Sequence, residues 1–131
     1  MENRPEFLMA WIGIAQVGGT SALINTNLTG HPLNHSLSIS GASKLILGKE
    51  LISNFETTDV TVKDSFQVWV EGDINKQDYN NLGLTLENLS IIMPTIDYDV
   101  TNEDVALYNA PLGNKVSPSR IYNLIEKKYV R

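Results

Sequence analysis

The chain has 131 residues, enough for one domain with a modest core, and its ordinary share of apolar side chains argues against disorder over the first two-thirds. Ten basic and fifteen acidic side chains give a formal net charge of -5, which argues against a nucleic-acid or anionic-membrane surface. No cysteine is present, so disulfides, thiolate metal sites and cysteine nucleophiles are excluded.

The first predicted element is a helix that begins at Pro5, where a missing N–H costs nothing, and ends at Gly18 or Gly19. It is apolar on nearly all sides, so we expect it to pack against a sheet and beneath other elements. Its apolar residues are Phe7, Leu8, Trp11, Ile12, Ile14 and Ala15. A buried strand over 22–24 follows, closed by a turn over 25–27.

A helix followed by a strand is half of a parallel α/β unit, in which a strand normally precedes the helix. No such strand is visible before Pro5, so we expect the chain to be a fragment, or a shortened version, of a larger domain. Charge directly after Met1 argues against a signal peptide. Gln16 and three glycines interrupt the apolar run 7–24, which makes it a poor membrane span.

Helix and strand alternate again in the next stretch. A second helix is predicted over 30–40, with Leu33 and Leu37 on its apolar face, and a second buried strand over 44–47, ended by Gly48. This alternation predicts an α/β fold with a doubly wound, flavodoxin-like parallel sheet, here incomplete.

The pattern is weaker beyond Gly48. We predict helical turns over 50–55, a third strand over 66–70, a polar loop over 72–81, a helix over 82–92 and a fourth strand over 104–108. Residues 57–63 show no strong period. A loop and then a short amphipathic helix over 118–129 complete the chain.

Several stretches match one known family in order and spacing. They are Asn3-Arg4-Pro5-Glu6-Phe7, Trp11-Ile12-Gly13-Ile14-Ala15, Gly18, Ala22-Leu23-Ile24-Asn25-Thr26-Asn27-Leu28, His35-Ser36-Leu37, Ser40-Gly41-Ala42 and Leu45-Ile46-Leu47-Gly48. They resemble the AMP-forming acyl-CoA synthetases, and in particular the fatty acid transport protein, or very-long-chain acyl-CoA synthetase, branch. The resemblance is good over residues 3–51, thin to about residue 95, and returns briefly at 104–108.

The resemblance implies a parent ligase that joins a fatty acid to AMP and then transfers the acyl group to coenzyme A, with ATP and magnesium. In that family the strand equivalent to 104–108 leads into a phosphate loop, Thr-Ser-Gly-Thr-Thr-Gly-Leu-Pro-Lys. Here residues 109–115 lack its run of hydroxyls and glycines. The matched residues belong to the family's scaffold, so no catalytic, cofactor-binding or metal residue is assigned. We expect this chain to bind none of the cofactors and to be inactive alone.

This interpretation divides the chain into two parts. Residues 1–108 are a partial N-terminal α/β domain of an acyl-CoA synthetase, and residues 109–131 are a diverged tail with a short amphipathic helix. Met1 is then expected to be an internal methionine of a longer reading frame. The parent is expected to act in fatty acid metabolism and lipid transport, and to be cytoplasmic or membrane-associated.

Two other interpretations stay open. A truncated ligase domain could serve as a non-catalytic interaction module, self-associating through an exposed sheet edge or covering that edge with the tail helix. A small flavodoxin-like nucleotide binder is the third candidate.

Two groups of ionisable residues have spacings that could serve metal binding or acid–base chemistry. His31 and His35 have the spacing of a helical metal pair, but Pro32 lies between them and no third ligand is close, so we favour exposed or capping histidines. Asp97 and Asp99 alternate in an extended acidic segment. We favour a solvated loop over acid–base chemistry there, and the same holds for Glu103 and Asp104, which follow them.

The remaining motifs have structural explanations. Gly48-Lys49 is not a phosphate loop, because Ser43 replaces the required glycine and Glu50 the hydroxyl residue. Gly18-Gly19 precedes a strand, so it is a turn and not a dinucleotide fingerprint. We expect Trp11 and Trp69 to anchor the core. The glycosylation patterns at Asn27, Asn34 and Asn88 are interpreted as chance matches.

Overall fold

The computed structural model describes residues 1–2, 4–74, 78–92, 94–96, 99–101 and 104–109. The helices in these ranges are α1 (Pro5–Gln16), α2 (Gly30–Ser40), α3 (Ile52–Glu56), α4 (Val60–Lys63) and α5 (Leu82–Glu87), with a 3₁₀ turn at Lys49–Leu51. The strands are β1 (Ser21–Leu23), β2 (Lys44–Gly48), β3 (Gln67–Glu71), β4 (Asn80–Asn81) and β5 (Leu107–Asn109). The predicted α/β class is confirmed.

The strands of the described residues form two small sheets, and every pairing in them is parallel. β1 pairs with β5, with Ser21 opposite Leu107. The second sheet has the order β2-β3-β4, with Leu45 opposite Val68 and Trp69 opposite Asn80. The predicted parallel geometry is therefore present, but β1 and β2 do not join in one ladder.

Helix α1 has the predicted bounds, but it does not lie beneath other elements as predicted. Pro5 lies in its first turn, and Gly18, at φ +75, donates its N–H to Ala15 O at 3.0 Å just beyond the last turn. No residue of α1 is buried by the described part of the chain, and Leu8 is 49% and Met9 70% exposed. The side facing β1 is half-buried, and the remaining sides face outward.

The core lies where α2 and α3 cover the β2-β3-β4 sheet. Its buried apolar residues are Leu33 and Leu37 of α2, Leu47 of β2, Phe55 of α3, and Val68 and Val70 of β3. Gly41 ends α2 at φ +65, as the sequence predicts. Phe55, in the predicted helical turns 50–55, is only 2% exposed.

Both tryptophans are half-buried, so the prediction that they anchor the core is wrong. In β3 the alternation of side chains gives the core face to Val68 and Val70, and Trp69 takes the opposite face under Lys44, whose Nζ lies 5.5 Å from the ring centroid. Trp11 stacks on Phe7 with ring centroids 6.5 Å apart.

Three predicted boundaries also need correction. Asn80 and Asn81, expected in a loop, form β4, and the unpatterned stretch 57–63 contains α4. The helix predicted over 82–92 ends at Glu87, where Asn88 turns back and donates Nδ2 to Leu84 O at 2.8 Å. The fourth predicted strand is present, but it spans Leu107–Asn109 and not 104–108. The helix predicted over 118–129 lies outside the described residues.

Candidate functional site

The carboxyl ends of β2 and β3 lie side by side, at the edge where open parallel sheets usually bind ligands. Gly48 ends β2 and Glu71 ends β3. Arg4, in extended conformation directly before α1, reaches this edge. The start of the first helix therefore meets the ends of two central strands.

Three charged side chains form an arginine clamp at this edge: Arg4, Glu50 and Glu71. Arg4 Nη1 donates to Glu71 Oε2 at 2.7 Å, and Arg4 Nη2 forms an ion pair with Glu50 Oε1. The backbone N–H of Glu2 also donates to Glu50 Oε1, at 3.1 Å. The side chains of the clamp are between 23% and 29% exposed, so the pairs are shielded in part from water. The clamp fixes the N-terminal residues to the sheet.

The pKa of Glu50 shows how strongly the clamp favours the charged carboxylate. Burial raises this pKa, but hydrogen bonds from Arg4 and from the backbone N–H groups of Glu50 and Glu2 outweigh it, and the pKa falls from 4.5 to about 2. The hydrogen bond to Glu50 in turn raises the pKa of Arg4. Since Glu50 stays ionised at neutral pH and is committed to Arg4, it is poorly suited to proton transfer. The clamp is a structural ion cluster.

Two glycines make room for the side chains of Lys49 and Glu50. Gly72 follows β3 at φ +105, and a Cβ there would lie 2.7 Å from Cδ of Lys49, whose stem covers it. A Cβ at Gly48 would meet the carboxylate of Glu50. Gly48 itself is extended and leads into the 3₁₀ turn, which is the geometry of a strand end and not of a phosphate-binding loop.

The histidines and acidic residues singled out in the sequence do not come together with a third ligand. His31 and His35 are both exposed on α2, and no group of three or more histidine, aspartate or glutamate side chains positioned for a metal occurs within the described ranges. Asp104 Oδ2 accepts from Thr101 N at 2.7 Å and caps a turn, while Asp99 is exposed. Asp97 and Glu103 lie outside the described residues.

The asparagine of the glycosylation pattern at Asn34 is buried and hydrogen-bonded to Asp59. Asn34 Nδ2 donates to Asp59 Oδ2 at 2.5 Å, and Asn34 Oδ1 accepts from Asp59 N at 3.0 Å. The pair holds α2 against the start of α4, and the burial of Asn34 leaves its amide unavailable for modification. Asn27 and Asn88 are exposed.

A second polar cluster, which sequence analysis missed, joins α3 to the residues before β4. Tyr79 donates its hydroxyl to Glu56 Oε1 at 2.5 Å, and its ring meets Phe55 edge-on with centroids 6.2 Å apart. Burial, and then the hydrogen bond to Glu56, raise the pKa of Tyr79 to about 12. The phenol therefore stays protonated, and this cluster too is structural.

Met1 lines two apolar cavities. The first, of about 60 Å³, is lined by core side chains of α2, β2 and α3 together with Met1. The second is a groove of about 280 Å³ between β1 and β2. The residues that line this β1–β2 groove are Met1, Phe7, Ala22, Leu23, Ile24, Asn25, Thr26 and Leu45.

Neither the clamp nor the groove was predicted as a site. Arg4 lies directly before α1, but its partner Glu71 is 67 positions away, and no nearby residue indicates that the two side chains pair. A lone arginine just before a helix-starting proline is the only signal in the sequence, because a basic residue there opposes the positive end of the helix and needs another reason to be present.

Comparison with known proteins gives one group of relatives. No protein-family model matches the chain, and no solved structure gives a significant match. Long-chain fatty acid transport protein 1 from Bos taurus is 38% identical over 74 residues, which cover 56% of this chain and 12% of that protein. The Homo sapiens protein of the same name is 35% identical over 77 residues, 59% of this chain and 12% of its own length.

A further relative, long-chain fatty acid transport protein 6 from Homo sapiens, is 29% identical over 69 residues, which are 53% of this chain and 11% of that protein. The chain thus spans about an eighth of the length of the curated relatives it matches. More than half of this chain is similar in sequence to the fatty acid transport proteins, and the predicted resemblance to that branch is confirmed.

Proposed function

We propose that this chain is a scaffold segment of an AMP-forming fatty acid–CoA ligase, and that the chain alone does not activate fatty acids. The similarity to long-chain fatty acid transport proteins over 74 to 77 residues supports the parentage. The intact ligase would use ATP, magnesium and coenzyme A, and its substrate would be a long-chain fatty acid.

The arginine clamp is the observation that best supports a scaffold role. It occupies the edge of the sheet where a ligand site is expected, and one guanidinium pairs with two carboxylates there. Groups held in this way position α1 and leave no free acid, base or phosphate-binding cation in the cluster. The clamp therefore serves the framework and not the chemistry.

Cavity size supports the same view. Sites for small ligands usually enclose about 300–1,000 Å³. The apolar cavity of about 60 Å³ beside the core is far smaller than this, so a long acyl chain does not fit in it.

The activity claim is tested by ATP–pyrophosphate exchange on the purified 131-residue chain with oleate and magnesium. We expect exchange no higher than in a sample without protein, whereas an intact AMP-forming ligase run in parallel gives turnover. Exchange that depends on oleate and on this chain would overturn the proposed inactivity.

The scaffold claim is tested by a chimera. The matching segment of the Bos taurus relative is replaced by the 74 residues of this chain that align with it, and oleoyl-CoA formation is measured. We expect activity to survive in this chimera and to fall when the same chimera carries Phe55→Ala in the core. A folded chimera without activity would argue against a shared scaffold.

A non-catalytic interaction module is the second candidate, and the outward-facing side of α1 favours it. Leu8, Met9 and Ile12 are 49%, 70% and 53% exposed, which is unusual for neighbouring apolar residues of one helix. Size-exclusion chromatography with light scattering separates the two candidates. A monodisperse dimer supports the module, and aggregation supports a segment separated from its parent.

A further inference from the structure

One side of α1 is apolar and faces away from the described part of the chain. Leu8, Met9 and Ile12 are exposed and lie at helical spacing on the side opposite β1. On the same side, a Cβ added at Gly13 would meet nothing within 4 Å. These four residues are called the outer α1 stripe. Neighbouring exposed apolar side chains of this kind are typical of a surface that another element covers.

The charge of the chain is divided unevenly along its length. Residues 1–109 carry five basic and fourteen acidic side chains, a net charge of -9, whereas residues 110–131 carry five basic and one acidic side chain, a net charge of +4. Helix α1 has Glu6 in its first turn and no basic residue in its last turn. The basic segment is therefore attracted to the rest of the chain, and the carbonyl end of α1 lacks the cation that such an end favours.

The amphipathic segment 118–129 has an apolar face that matches the stripe. It lies outside the described residues, and its sequence places Ile121, Leu124 and Ile125 at the spacing of one helical face. Its length equals the 12 residues of α1. Two helices of equal length, each with one apolar side, can bury those sides against each other.

The β1–β5 pairing brings the start of this segment close to α1. Asn109 lies opposite Leu23, and α1 packs against β1. Residues 110–117 can reach about 26 Å when extended, which is more than the length of α1, about 18 Å. Since α1 ends where β1 begins, a segment that returns from the end of β5 along α1 runs parallel to it. Lys127 and Lys128 would then lie near the carbonyl end of α1, where cations are favoured.

We propose that residues 118–129 pack as a helix on the outer α1 stripe of the same chain. Apolar contacts cover the stripe, and the basic last turn of the segment lies at the carbonyl end of α1. This packing needs no ligase activity and no substrate, so it can fail while the proposed function holds, and the reverse.

Disulfide trapping tests the contact, because the chain has no cysteine of its own. The test variant is the full chain with Met9→Cys and Leu124→Cys, and the control carries Met9→Cys and Asn123→Cys. The control keeps the length of the tether and moves the second thiol to the polar side of the predicted helix. We expect the intramolecular disulfide to form at least about tenfold faster in the test variant, since the two Cα atoms must approach within about 7 Å.

Two outcomes of the trapping experiment would overturn the proposal. Equal rates in the two variants would show that the segment has no preferred face toward α1. Disulfide-linked dimers in place of the monomeric product would assign the stripe to a second copy of the chain.

Hydrogen exchange gives a second measurement without cysteines. Leu124→Asp in the full chain should speed exchange of the α1 amides about threefold or more, whereas Asn123→Asp adds the same charge at the neighbouring position and should leave them unchanged. Amides over 44–48 and 67–71 should keep their protection in both variants, which shows that the core stays folded. Equal exchange of the α1 amides in the two variants would contradict the packing.

Discussion

Arg4 and Glu71 are joined by a hydrogen bond of 2.7 Å across 67 positions of the chain, and this contact ties the residue before the first helix to the last residue of a central strand. Because the same guanidinium holds Glu50, a single side chain sets where α1 begins relative to two strands. The stability of the N-terminal region should depend on it.

Removal of the guanidinium should expose this dependence. We expect Arg4→Ala to lower the free energy of unfolding, because two partly shielded carboxylates lose their partner. Arg4→Lys should recover only part of the loss, since an ammonium does not engage two carboxylates as a planar fork does. Denaturant titration followed by circular dichroism measures both.

The matched control is Lys63→Ala. Lys63 Nζ lies 3.4 Å from Glu56 in a more exposed pair, and its loss should cost less than about 1 kcal/mol. Equal destabilisation by Arg4→Ala and Lys63→Ala would contradict the special role of the clamp.

The depressed pKa of Glu50 predicts a particular dependence of stability on pH. The folded-state pKa of about 2 lies below the ordinary value of 4.5, so the contribution of Glu50 is complete above about pH 4.5 and is lost as the pH falls toward 2. Glu50→Gln should remove this part of the acid slope. The unfolding free energies of the unaltered chain and of Glu50→Gln, measured from neutral to acid pH, should converge as the pH falls. Parallel curves of free energy against pH would show that Glu50 is not the titrating group.

The hydrogen bonds between Asn34 and Asp59 predict that a second substitution can restore the stability lost by a first. Asn34→Asp sets a second carboxylate against Asp59 and should destabilise the fold by about 1–3 kcal/mol at neutral pH. Adding Asp59→Asn restores a side-chain donor opposite the carboxylate and should recover most of that loss, because the backbone N–H of residue 59 still donates to the side chain at position 34. A double variant no more stable than Asn34→Asp alone would argue against the pairing.

The core predicts the largest single effect. Phe55 is 2% exposed between α2 and the sheet, and Phe55→Ala should cost about 3–5 kcal/mol through lost burial and the cavity left behind. Ile91→Ala removes an apolar side chain that is fully exposed and should change stability by less than about 0.5 kcal/mol. Thermal unfolding measures the stability of both variants. Similar losses of stability in Phe55→Ala and Ile91→Ala would contradict the exposure of Ile91.

Local signals in the sequence were sufficient for the elements whose ends depend on neighbours in the chain. α2 begins at Gly30 and ends before Gly41, whose positive φ is a backbone requirement visible in the residue type itself. Leu33 and Leu37 have helical spacing, and both are buried. The same holds for β2, a short apolar run between two turn signals.

Features that depend on distant partners were not predictable in this way. β4 exists because Asn80 lies opposite Trp69, and two asparagines carry no strand preference of their own. Trp69 was assigned to the core by its size, but its place between Val68 and Val70 in a strand decides its face. The clamp could not be predicted for the same reason, since it links residues that meet only after the sheet has formed.

The strands paired in the two sheets are separated by different lengths of chain, and this difference predicts the order in which the sheets fold. Lys44 and Gln67 are joined by one short crossover, whereas Thr20 Oγ1 donates to Val105 O across 85 positions. Closing the longer loop costs more chain entropy before any contact rewards it. The β2–β3 half with its two covering helices should therefore form early in refolding, and the β1–β5 ribbon should be the last part to settle and the first to open.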